Sequence, residues 1–207
     1  MPTDYRNKDS WLQICSMTLN NYIFMEKRLS ANKKVSDFVL TYYSIFLVFN
    51  SITAFFFKWY NNHLSNYFGI MLSIVLLAYS LINSNANYVK RIDTITEAIN
   101  NLKTIKRKLT DENLEAFQKE YNEIVDKVEF RSDIDFFRTV KCLCKEHGIN
   151  WYQKPSKIKP GNEVEQKIKN YLSELSPRTL QLKIVIRKAF DILLFVFPIV
   201  VVLFCVV

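Results

Sequence analysis

The sequence predicts an all-α membrane protein with an N-terminal two-helix transmembrane hairpin, a cytoplasmic antiparallel helical stalk and a third transmembrane helix at the C-terminus. The apolar residues of the 207-residue chain are concentrated in three blocks, whereas a buried helix face would space them at three and four residues. Dense Lys and Glu segments separate the blocks. Only three Gly and five Pro occur in the chain, which leaves few turns for a strand-rich fold.

The first two blocks have the length and composition of membrane spans. Residues 38–57 hold 20 uncharged positions, which make a helix of about 30 Å, the thickness of the bilayer core. The second block covers residues 67–82 and stays uncharged as far as residue 89. The short loop between them places Trp59 and Tyr60 where interfacial aromatic residues are common. These features predict a transmembrane hairpin over residues 38–87.

Basic residues near the membrane predict the orientation of the hairpin. Lys90 and Arg91 begin a basic stretch after it, and the loop between the spans holds only Lys58. The basic residues before the hairpin are Arg6, Lys8, Lys27, Arg28, Lys33 and Lys34. Since basic loops stay in the cytoplasm, both ends of the hairpin, and therefore the N-terminus, are expected there.

The third block is expected to form a C-terminal hydrophobic transmembrane helix over residues 183–207. Asp191 lies near the start of its apolar run and Pro198 lies midway. Lys183, Arg187 and Lys188 supply basic flanking residues on the inner side. The block therefore has the features of a tail that crosses the membrane outward.

The polar segments have the spacing of amphipathic helices. The second span is expected to continue into the cytoplasm as one rod, and Thr110 and Ser132 are expected to cap the helices that follow. An N-terminal helix of this kind can lie on the membrane or pack on the other cytoplasmic helices. The segments are an N-terminal amphipathic helix (residues 1–37), a helical stalk (88–153), a linker with two prolines and a glycine (154–161) and a further amphipathic helix (162–182).

Small and polar residues recur along both spans of the hairpin. Such stripes let helix backbones approach and hydroxyl groups bond across helices, so packing within the hairpin is one interpretation. The other is a polar pathway in an oligomer, for which Asn50 is the first-choice pore residue. The candidate helix-interface or pore residues are Thr41, Ser44, Asn50, Ser51, Gly69, Ser73, Ser80 and Asn83.

A basic cluster lies at the far end of the predicted rod and consists of Lys103, Lys106, Arg107 and Lys108. Cations suit a helix C-terminus, so a solvated helix end explains the cluster without a ligand. The alternative is a site for a phosphate-bearing ligand or nucleic acid. The sequence leaves both interpretations open.

No constellation of catalytic or metal-binding residues is found. Cys142, Cys144 and His147 lack a fourth zinc ligand nearby. Asp133 and Asp135 are two residues apart and diverge on a helix, so they are expected to cap it instead of acting as an acid and a base. We therefore predict no enzyme activity, no metal and no cofactor.

The order of parts resembles the SLATT family, prokaryotic two-helix membrane effectors found with nucleotide-signalling genes and other antiviral conflict systems. The resemblance covers roughly residues 10–140, and the third hydrophobic block departs from the two-helix pattern. Its most specific residues are Tyr121, Asn122, Glu129, Asp133 and Asp135. The segments that carry it are MEKRLS (25–30), YYSIFLVFNSI (42–52), YSLINSNANYVKR (79–91) and EYNEIVDKVEFRSDIDFF (120–137).

The resemblance implies a homo-oligomeric effector of the inner membrane that forms a pore or disrupts the lipid bilayer during phage infection and so aborts it. The family has no catalytic residues to transfer. It suggests an operon partner, either a nucleotidyltransferase that makes a nucleotide second messenger or a reverse transcriptase, and a nucleotide or nucleic-acid trigger. The alternative is a membrane-tethered scaffold whose basic stalk recruits a partner protein or nucleic acid.

Overall fold

The structure is a computed structural model that describes residues 7–57 and 60–206. Helices dominate these residues and no strand occurs among them, which confirms the all-α class. Arg6, Lys58 and Trp59, which the orientation and loop predictions used, lie outside the described residues. The helices are α1 (Lys8–Phe56), α2 (Asn62–Asn85), α3 (Tyr88–Lys108), α4 (Leu114–Val125), α5 (Asp133–Glu146), α6 (Glu163–Glu174) and α7 (Pro177–Val206).

Two helix boundaries differ from those expected. The N-terminal amphipathic segment and the first span form one 49-residue helix, α1, because no Gly or Pro interrupts the chain between residues 3 and 68. The expected continuous rod is wrong, since α2 ends at Asn85 and Asn87 adopts a positive φ of 47°. A left-handed residue cannot continue a right-handed helix, and Asn tolerates that conformation better than most residues.

The chain divides into two compact units. The polar unit comprises residues 1–30 and 89–184, and the apolar unit comprises residues 31–88 and 185–207. Helices α1 and α7 each contribute residues to both units.

In the polar unit, the first part of α1 packs against α3 and α4. The Cys15 thiol lies 3.8 Å from the Leu102 carbonyl oxygen on α3, and Trp11 makes edge-to-face contacts with Phe117 and Tyr121 of α4. Thr110 and Asn113 form a capping box in the turn between α3 and α4. The amphipathic N-terminal segment therefore packs on protein, one of the two expected roles.

The remainder of the polar unit is the pair α5 and α6. Its core contains Phe136, Val140, Ile168 and Leu172, and Ile158 from the predicted linker is buried in the same cluster. The linker thus joins two helices inside one unit and includes a short 3-10 turn at Pro155–Lys157. Gly148 supports the turn after α5 with a φ of 64°, a conformation that glycine adopts without strain.

The apolar unit holds the second part of α1, together with α2 and most of α7. Three helices that include these segments are long and apolar enough to cross a membrane, and their outward faces are rich in exposed large apolar side chains. The Tyr43 hydroxyl donates to the Leu194 carbonyl at 2.7 Å, and the Asn61 amide donates to the Cys205 carbonyl at 2.9 Å. The third hydrophobic helix therefore packs beside the hairpin.

Candidate functional site

A buried polar cluster links the two helices of the hairpin and is centred on Asn50. Its side-chain amide donates to the Ser65 hydroxyl at 2.8 Å and to the Ser65 carbonyl at 3.3 Å. The Tyr60 hydroxyl donates to the Asn50 amide oxygen at 2.7 Å. All three residues are buried, and a β-carbon placed on Gly69 would lie 3.9 Å from the Asn50 amide nitrogen. Asn50 therefore makes its hydrogen bonds inside one protomer, an arrangement that favours helix packing over pore lining.

Thr41, Ser44 and Ser51 of the first span are exposed, whereas Asn50 is buried. Each hydroxyl donates to the carbonyl four residues earlier in its own helix, at 2.7–2.9 Å. Such bonds let a hydroxyl face an apolar medium without an unsatisfied donor. Packing within the hairpin therefore leaves this stripe uncovered.

The second-span candidates divide in the same way. Ser73 and Ser80 are exposed, and the Ser73 hydroxyl donates to the Gly69 carbonyl at 2.8 Å. Gly69 is half-buried and faces Asn50. The amide oxygen of Asn83 is buried and has no hydrogen-bond partner among the described residues.

Among the residues singled out by the resemblance, Asp135 is the most deeply placed. Its side chain is fully buried and forms an ion pair with Arg28 of α1 at 2.9 Å. The Ser132 hydroxyl also donates to the Asp135 carboxylate, and the Asp135 backbone amide donates to the Ser132 oxygen, which makes a capping box for α5. Ser132 and Asp135 thus cap the helix as predicted, while Arg28 is a partner that sequence reasoning missed.

The other four of these residues lie closer to the surface. The Tyr121 hydroxyl is 2.7 Å from the Thr18 hydroxyl, and burial raises the pKa of Tyr121. Glu129 accepts a hydrogen bond from Arg91 at 2.8 Å. Asn122 and Asp133 are exposed.

A cavity of about 430 Å³ lies beside these residues. The Asn21 amide oxygen is buried at this site and has no hydrogen-bond partner within the described part of the chain. The remaining lining includes Tyr121, Asp126, Glu129 and Arg131, so both signs of charge surround the space. Because acidic and basic side chains both line the cavity, its charge favours neither an anionic nor a cationic ligand.

The four residues of the basic cluster at the end of α3 differ in their exposure to solvent. Lys103, Arg107 and Lys108 are exposed, whereas Lys106 is half-buried and lines a second cavity of about 510 Å³. The same cavity is lined by Gln13, His147 and Lys167 from three other helices or helix ends. These partners carry no sequence motif and are brought to Lys106 only by the packing of the unit.

The cysteines of the polar unit show no metal centre. Cys144 is fully buried, and burial raises its pKa to about 11, whereas Cys142 is partly exposed and its thiol donates to the Glu146 carboxylate at 3.6 Å. Within residues 7–57 and 60–206, no group of three Cys, His, Asp or Glu side chains is arranged to hold a metal ion. The candidate residues described above therefore form hydrogen bonds and ion pairs, and some of them line cavities.

A polar helical unit, and an apolar unit whose three helices are long and apolar enough to cross a membrane, define an α-helical membrane protein. A family described as SMODS and SLOG-associating 2TM effector domain, family 5, matches residues 15–205. The chain belongs to this family, which confirms the resemblance to the SLATT effectors. The match extends through most of α7, so it covers the third hydrophobic block as well as the hairpin. No curated protein and no solved structure matches the chain significantly.

Proposed function

We propose that this protein is a membrane effector of a prokaryotic antiviral defence system. Subunits oligomerise in the inner membrane, with the N-terminus and the polar unit in the cytoplasm. A partner protein or a nucleotide signal made during phage infection triggers them to open a pore or disrupt the bilayer. The resulting loss of membrane potential stops growth of the infected cell.

The uncovered polar stripe on the first span is the observation that supports oligomerisation. In a single protomer, Thr41, Ser44 and Ser51 face outward from the apolar unit. Small hydroxyl residues favour contacts between helices in a bilayer, at about 0.6–2 kcal/mol per contact. A second copy of the chain that covers this stripe adds such contacts, and water in a pore can donate to the hydroxyl oxygens, whereas lipid tails supply neither.

The basic residues support the orientation. Arg28, Lys33 and Lys34 precede the first span, and Lys90 and Arg91 follow the second. Basic segments beside membrane spans remain in the cytoplasm. A third span formed by α7 then places the C-terminus outside the inner membrane.

The proposal is tested in cells that express the full chain together with the products of its neighbouring genes. Triggering is expected to collapse the membrane potential and arrest growth. Ser51→Leu is expected to reduce both effects because it removes a polar group from the uncovered stripe. Ile52→Leu is the matched control, since Ile52 is an exposed apolar neighbour and the substitution conserves volume.

Two results would contradict the proposal. The first is an intact membrane potential in triggered cells that contain the wild-type protein. The second is equal activity of the Ser51→Leu and Ile52→Leu variants, which would place the pathway or the subunit contact elsewhere.

A membrane-tethered scaffold is the alternative function, and the exposed end of α3 favours it. Lys103, Arg107 and Lys108 are exposed, and no ion pair involves them among the described residues. Exposed cations of this kind attract nucleic acid or an acidic protein surface. A scaffold would lose partner recruitment, but not membrane potential, when these three residues are changed to Gln.

A further inference from the structure

The cavity next to Lys106 is formed by four separate parts of the polar unit. Gln13 and Met17 come from α1, Lys106 from α3, His147 from the end of α5 and Lys167 from α6. The volume of about 510 Å³ lies within the range of small-molecule sites, roughly 300–1,000 Å³. The packing of the unit thus produces a recess large enough for a ligand.

The formally charged residues that line this cavity are both basic. Lys106 and Lys167 line it together with His147, and none of the described residues that line it is an Asp or Glu. Lys167 pairs with the exposed Glu163 at 3.0 Å and donates to the Gln13 side-chain oxygen at 3.3 Å. Lys106 is therefore the lining cation that forms no ion pair among the described residues. Burial raises the pKa of the Cys15 thiol, and the positive charge of the nearby Lys106 opposes this effect in part. These two lysines favour the binding of an anionic group.

Several other residues that line the cavity are apolar or aromatic. Met17, Leu143, Ile168 and Tyr171 line it, and Tyr171 is held by an edge-to-face contact with Phe136. Met and Tyr side chains provide polarizable and aromatic surface for a flat ring. The polar side chains of Ser10, Gln13 and Asn20 on α1 complete the lining and can donate to or accept from a heteroaromatic edge.

We infer that this cavity binds a nucleotide, with its phosphate at Lys106 and Lys167 and its base against the apolar lining residues. The inference rests on the proposed function and deepens it, because it assigns the signal that triggers the effector to a specific site. The cavity is lined by residues of α1, and the same helix continues into the first span. Ligand binding therefore acts on a helix that is covalently continuous with the membrane segment.

Titration calorimetry of the full-length protein in detergent tests the inference. The probes are the four ribonucleoside monophosphates, cyclic dinucleotides, adenosine, inorganic phosphate and the short-chain lipid dihexanoyl phosphatidic acid. At least one nucleotide is expected to bind more tightly than adenosine or phosphate alone. Lys106→Gln is expected to weaken that binding about tenfold or more, because it removes a charge-assisted hydrogen bond.

Lys103→Gln is the matched control, since Lys103 lies on the same helix but is exposed and does not line the cavity. The inference is overturned if no nucleotide binds, if phosphatidic acid binds in place of nucleotides, or if Lys103→Gln weakens binding as much as Lys106→Gln. The last outcome would indicate diffuse attraction to the basic surface.

Binding and membrane leak are measured separately, so the two proposals fail in different ways. Nucleotide binding without any leak contradicts the effector function but supports the site. Triggered leak that is unchanged by Lys106→Gln, together with no detectable nucleotide binding, supports the effector function and contradicts the nucleotide site.

Discussion

The ion pair between Arg28 and Asp135 is expected to contribute more to the stability of the polar unit than any other ion pair described. The Asp135 side chain is fully buried and Arg28 is 18% exposed. Removing one partner of a buried pair costs about 3–5 kcal/mol. Because Arg28 keeps some contact with water and Asn retains an oxygen for the cap, we expect Asp135→Asn to cost about 2–3 kcal/mol. This corresponds to a change of roughly 30–150-fold in the unfolding equilibrium.

Thermal unfolding of the full-length protein in detergent, followed by circular dichroism, measures this cost. For a chain of this size 1 kcal/mol shifts Tm by about 2–4 °C, so a decrease of roughly 5–10 °C is expected. Asp133→Asn is the matched control, because Asp133 lies in the same helical turn and is exposed, and its cost is expected below about 1 kcal/mol. Equal shifts for the two variants would show that the loss of a negative charge in the first turn of α5, and not the pair with Arg28, explains the effect. An Arg28→Gln variant that adds its full cost to Asp135→Asn would refute the coupling as well.

Three further predictions follow from single contacts. Asn50→Leu removes the hydrogen bonds that Asn50 makes with Ser65 and Tyr60 and is expected to destabilise the hairpin by about 1–2 kcal/mol. Resistance to SDS unfolding measures this loss, and an unchanged midpoint would contradict the packing role. Gly148→Ala places a side chain at a positive φ and is expected to lower the free energy of unfolding by about 1 kcal/mol. Gly161→Ala, in which the added carbon would lie 3.4 Å from the flexible Glu165 carboxylate, is expected to lower it less in the same thermal melt. Cys144 is fully buried and burial raises its pKa to about 11, so maleimide at pH 8 is expected to label it only after denaturation, whereas the partly exposed Cys142 is labelled in the folded protein. Mass spectrometry distinguishes the two sites, and equal labelling rates would contradict the packing of α5.

Local features of the fold could be predicted from the sequence because neighbouring residues determine them. The uncharged run at residues 38–57 predicts a span from length and hydropathy alone. Ser132 predicts the start of α5, since its hydroxyl and the Asp135 carboxylate cap the same turn. These signals lie within a few residues of the element they define.

The contacts that build the candidate site could not be predicted in the same way. Arg28 and Asp135 are 107 residues apart, and no pattern in the sequence pairs one Arg with one Asp at that distance. Asn50 has a polar stripe beside it in sequence, but only the approach of α2 shows that its amide binds Ser65 and leaves the stripe outside. Lys106 differs from its three basic neighbours only through the packing of α1 and α6 around it.

Ion conduction by the purified protein in liposomes tests the central claim most directly. Single-channel and dye-leak recordings compare the wild type with Ser51→Leu and Asn50→Leu, with and without the nucleotides named above. The account predicts leak through the wild type once it is triggered, a loss of leak in Ser51→Leu with the fold retained, and a loss in Asn50→Leu that accompanies lower stability of the hairpin. Silent membranes under every condition would contradict the effector function and favour a tethered scaffold.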